Sequence, residues 1–190
     1  MVGRPGRGPS SFGRPVRPTR AAAGARRAEE ARVASPAPRT RRRQDGMTDV
    51  KHPSDLGIDV SEGSPQQLYR WLLASVLFGR PVQQSVAAET YQVLVDHGLT
   101  SPARFAEHDH EGLRRLLDEA GYARIDHVMS DELHEVMGRI DSDWGSVNHL
   151  VRSSADRAEL TRRLTDLKGV GPKTAEIFTR ELPAALYGTA

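Results

Sequence analysis

The sequence predicts an all-α fold, and three observations carry that prediction. From Ser64 onward apolar residues recur at three- and four-residue spacing. No stretch alternates with period two over a useful length, and glycine or proline marks nearly every point where one helical run stops and the next begins.

The first run, "SPQQLYRWLLASVLFG", offers Ser64 as N-cap, Pro65 at the first helical position and Gln67 three residues after the cap. Leu68, Trp71, Leu72, Ser75 and Val76 then fall on one face, and Gly79 ends the helix. A second helix is expected from about Val82 to His97, with Ala87, Tyr91, Leu94 and Val95 inward and Gly98 as its stop. Thr100 or Ser101 with Pro102 starts a short third. "HEGLRRLLDEAGY" aligns Leu113, Leu116 and Leu117, and "RIDHVMSDELHEVMGRI" aligns Ile125, Val128, Met129, Leu133, Val136 and Met137. Asp141, Ser142 and Asp143 read as a cap. After the weaker "WGSVNHLV", a helix is expected from Ser154 through Leu160 and Leu164 to Leu167, and a last one from Pro172 to about Leu182.

Charge divides the chain. Residues 1–46 hold 12 arginines against Glu29, Glu30 and Asp45, a balance of +9, so the rest of a chain with net charge +2 carries −7. This first segment is rich in Pro, Gly, Ala and Arg and has Phe12 as its only aromatic residue, so it is expected to stay disordered. Two readings of it remain open: an extension upstream of a true start at Met47, or an arm that tethers the protein to DNA. Residues 47–63 are expected to be a linker and residues 64–190 one helical domain.

The chain has no cysteine, which excludes disulfides and cysteine-bound zinc or iron–sulfur clusters. No apolar run approaches the roughly 18 residues of a membrane span, and the N-terminus lacks the apolar core of a secretory signal. A cytoplasmic protein without a membrane partner is expected. His108 and His110 flank Asp109, and His127 and His134 lie a heptad apart, but neither spacing converges as metal ligands do, so no side-chain metal site is expected.

The most informative string is "LKGVGPKTAEIF", Leu167 to Phe178. A helix ends at Leu167, Lys168-Gly169-Val170-Gly171 turns the chain, and Pro172 opens the next helix. Glycines permit a positive φ and leave room for another backbone to come close. Amides at the start of the second helix point outward, and the positive end of the helix dipole adds to them, making a place for one phosphate. Val170 is expected to pack inward, and Ala175 to let the helices approach. Lys168 and Lys173 flank the amides with positive charge.

This string resembles the helix-hairpin-helix motif of the endonuclease III superfamily of base-excision DNA glycosylases, the helix-hairpin-helix-GPD group. "LYRWLLASVLFGRPVQQSVAAETYQVL" and "LLDEAGYARIDHV" are similar in spacing to the family's upstream helices, so the resemblance covers about Ser64 to Leu182, with the hairpin its specific part. It implies that Lys168, Gly169, Val170, Gly171, Lys173 and Thr174 contact double-stranded DNA, the Val170 and Gly171 amides on the backbone, and that a monovalent cation sits at the hairpin carbonyls. It implies that Arg80, where the family has a glutamine, wedges into the gap left by a flipped nucleotide, with a solvated loop charge as the alternative reading. Lys173 matches the Schiff-base nucleophile of bifunctional members, an amine that must lose its proton to attack the sugar.

The family's aspartate, further along the chain than Ala190, has no counterpart, Lys168 replaces a usual proline, and the family's C-terminal half is missing. What the resemblance implies is therefore a DNA-backbone grip serving DNA repair rather than glycosylase chemistry. A second chain could supply the missing half. An abasic-site lyase using Lys173, and a protein-interaction module that keeps the hairpin as scaffold, are the alternatives.

Overall fold

A computed structural model of the chain describes residue 50, residues 52–122 and residues 126–190. The expectations for residues 1–46 and for a start at Met47 lie outside these residues. The described part is all helical: α1 (Pro65–Phe78), α2 (Gln84–Asp96), α3 (Pro102–Ala106), α4 (His110–Glu119), α5 (Asp126–Trp144), α6 (Val147–Arg152), α7 (Arg157–Thr165) and α8 (Pro172–Arg180). Among the described residues no helix is long and apolar enough to cross a membrane.

α1 is the axis of the fold. Where periodicity marks one apolar face, Leu68, Tyr69 and every residue from Trp71 to Leu77 are buried, because α2, α6 and α8 pack around it. A helix apolar on nearly all sides belongs in the centre of a core. Two polar groups inside this apolar helix are paired: Ser75 donates to the Trp71 carbonyl at 2.7 Å, and the Trp71 indole donates to the Phe178 carbonyl at 3.2 Å. The Tyr69 and Tyr122 hydroxyls likewise reach the Leu99 and Leu77 carbonyls, at 2.6 and 2.8 Å. α5 forms a second centre, packed on α3, α4 and α6.

Three boundaries differ from the sequence reading. Residues 52–63 are part of the fold and not a linker: Pro53–Leu56 makes a single 3-10 turn, and Ile58 and Val60 are buried in the core, as is Val50. α7 starts at Arg157 with Asp156 as its cap, accepting from the Glu159 amide at 2.8 Å, while Ser154 is buried and bonded to the Leu150 carbonyl. Asp141, Ser142 and Asp143 cap no helix start; they complete the last turn of α5, with Asp143 paired to Arg139 at 2.8 Å.

The two ends of the described domain meet at α6. The amides of Gly188, Thr189 and Ala190 donate to the carbonyls of Ser154 and Arg152, at 2.8, 2.9 and 3.2 Å. The Asn148 side chain donates to the Gly63 carbonyl at 2.6 Å.

Candidate nucleic-acid interface

α7 and α8 pack on each other and are joined by the glycine turn, so a helix-hairpin-helix unit is present. The turn is set by one bond and one glycine. The Val170 amide donates to the Leu167 carbonyl at 3.0 Å, and Gly169 adopts φ +92° between them, the third-position geometry of a type II turn. Leu167 and Val170 are both buried, which anchors the hairpin from beneath as the sequence predicts. The same bond corrects one expectation: the Val170 amide is occupied within the turn and cannot hold a phosphate.

Gly171 differs from Gly169 in kind. Its φ of −83° with ψ 169° suits any residue, and a Cβ there would meet nothing within 4 Å. It is exposed, and the amides of Gly171 and Lys173 find no acceptor among the described residues. The start of α8 therefore presents two open N–H groups at the positive end of the helix dipole. Lys168 in the turn and Lys173 in the first turn of α8 have side chains 75% and 65% exposed. Thr174, expected at this surface, is buried instead against Gly79 at the end of α1, so its side chain cannot reach a ligand.

Arg80 has a different role from the one its alignment implies. Its guanidinium donates to the Gly169 carbonyl at 2.8 Å and pairs with Glu132 of α5. It is an internal clamp on the turn, not a wedge projecting toward DNA. The Gly169 carbonyl, one of the hairpin carbonyls at which a monovalent cation is expected, thus accepts from a guanidinium. Glu132 itself lies over the turn: a Cβ on Gly169 would come within 2.9 Å of its Cβ.

Three carboxylates of α5 thus tie down three separate elements. Asp131 pairs with His110 of α4 at 2.9 Å, Glu132 holds Arg80, and Glu135 holds Lys168 at 2.9 Å. The Glu135 carboxylate raises the Lys168 pKa above the ordinary lysine value, with smaller contributions from Asp131 and Glu132. Sequence reasoning missed these acids because nothing local links residues 131–135 to residues 80 and 168. The signal available was their i, i+1, i+4 grouping on a helix otherwise marked by its apolar face.

Lys173 is contacted by Glu176 one turn later, at 3.3 Å. Apart from this carboxylate, no other charged side chain among the described residues is paired with the Lys173 amine.

The histidines form one unexpected unit. His110 and His134 stack with ring centroids 4.1 Å apart and an interplanar angle of 22°, and Phe105 meets His134 edge-on at 6.4 Å. Among the described residues no group of three or more ligating side chains could hold a metal ion. Burial lowers the His134 pKa from the ordinary 6.5, and the neighbouring His110 lowers it further. The unfolded chain therefore takes up this proton first. The stabilisation is complete above about pH 6.5 and is lost as pH falls below it. Melting curves between pH 7.5 and 5.5 should show a decline in Tm that His134→Phe flattens.

Neither a scan against protein-family models nor a search of curated protein sequences finds a match to this chain.

Proposed function

We propose that the protein binds double-stranded DNA through the backbone of one strand, using the Gly171 and Lys173 amides with the Lys168 and Lys173 side chains, in the service of DNA repair as the resemblance to endonuclease III implies. The observation that carries this reading is Gly171. Neither its backbone angles nor crowding inside the chain calls for a glycine there, and its bare Cα leaves the two open amides approachable. A phosphate seated on them would meet charge-assisted hydrogen bonds and two nearby ammonium groups.

The test is the salt dependence of binding to a labelled duplex. If both lysines neutralise phosphates, Lys168→Ala with Lys173→Ala should reduce the slope of log K against log salt by about 0.9 for each phosphate no longer neutralised. An unchanged slope assigns the binding to other basic groups, residues 1–46 foremost.

A second reading has an observation of its own. Arg80 and Glu132 cover the inner side of the turn, which suits a hairpin kept to join α1, α5 and α8 within a protein-interaction module. Duplex affinity absent at low salt would favour it.

A further inference from the structure

We propose that Glu135 is a built-in competitor for the hairpin: in the unliganded protein it occupies Lys168, and a DNA phosphate must take the lysine from it. The inference rests on the DNA-binding reading and adds to it the residue that sets how strongly the hairpin engages.

The three acids at this edge of α5 are not equivalent. Asp131 is engaged by His110. Glu132, with 18% of its side chain exposed, is neutralised by Arg80. Glu135 is the one whose carboxylate reaches the hairpin's outward lysine, and it does so at 42% exposure, from the solvent side. An anion arriving at the Gly171 and Lys173 amides would find Lys168 already bonded to a carboxylate. Both partners of this pair are in solvent, so the pair is weak enough to open and close without disturbing the fold.

Two consequences follow from exchange of partners. Removing the carboxylate leaves Lys168 fully charged and unoccupied, so phosphate binding gains. The gain passes through Lys168 and should disappear when that lysine is gone. A carboxylate that acted only as bulk negative charge would repel DNA equally with or without the lysine, although screening limits such repulsion to about 8 Å at physiological salt.

The experiment is a double-mutant cycle on the full chain, read by anisotropy of a labelled 20-base-pair duplex at fixed salt, with wild type, Glu135→Gln, Lys168→Ala and the double variant. Glu135→Gln is expected to tighten binding about threefold, the scale of an exposed ion pair. The same substitution in the Lys168→Ala background should change affinity by less than half that factor. Residues 1–46 are present in all four proteins and cancel from the cycle. Equal gains in the two backgrounds, or no gain in either, would overturn the competitor role while leaving the DNA-binding reading intact. Affinity unchanged by Lys168→Ala with Lys173→Ala would instead remove that reading and this inference together. Thermal melting of Glu135→Gln within about 2 °C of wild type establishes that the fold is unaltered.

Discussion

Replacing Gly79 by alanine is expected to destabilise the protein by about 1–3 kcal/mol, a sign opposite to the one that helix propensity gives. Gly79 follows α1 with φ −71° and ψ −5°, a right-handed conformation in which alanine ordinarily gains over glycine. Here the added methyl has nowhere to go. It would overlap the Thr174 hydroxyl oxygen and sit 3.0 Å from the Thr174 Cβ and 3.1 Å from the Ser75 carbonyl. Two of these neighbours belong to a buried side chain on α8, so relief requires Thr174 to turn in a packed environment or α8 to shift away from the end of α1. The measurement is a denaturant or thermal melt, in which each kcal/mol moves Tm by roughly 4 °C for a domain of this size. Thr174→Ala removes the nearest atom, so the pair of substitutions should cost less than the two singly. A melting temperature for Gly79→Ala equal to or above wild type would mean that α1 and α8 do not meet this closely.

The second large effect is expected at Arg80. Arg80→Ala withdraws the donor from the Gly169 carbonyl and leaves the Glu132 carboxylate without its partner beside the turn. Breaking one member of a well-buried pair costs about 3–5 kcal/mol, but these side chains are 25% and 18% exposed, so a loss of about 2 kcal/mol is the reasonable scale. Removing both charges by Arg80→Met with Glu132→Gln should cost less than Arg80→Ala alone, since no carboxylate is then stranded. Proton exchange at the hairpin amides, followed by NMR, separates a local loosening of the turn from loss of the whole fold. An Arg80→Ala protein with unchanged Tm and unchanged amide exchange in the turn would refute the clamp.

How much of this was legible in the sequence depends on how local each cause is. The hairpin could be read because its determinants lie within a dozen residues: a glycine at the third turn position, a valine to anchor it and a proline to open α8. The helices could be placed because burial repeats at helical spacing. Arg80 was misread for the opposite reason. Its side chain is claimed by a carboxylate on α5 and a carbonyl in the hairpin, each distant in sequence, and alignment to a motif carries no information about either. Thr174 is expected at the surface only through the resemblance, and the tight approach of α1 at Gly79, which no local pattern encodes, buries it. The His110 and His134 rings meet across two helices, and only the packing of α4 on α5 brings them together.

The seal on α6 bears on how the chain acquires its structure during synthesis. α6 is six residues long, too short to persist alone, and the carbonyl of its last residue, Arg152, accepts from the Thr189 and Ala190 amides, while that of Ser154 just beyond it accepts from Gly188. While those residues are still inside the ribosome, these acceptors can turn only to water. These bonds at the end of α6 therefore form only once residues 188–190 have left the ribosome.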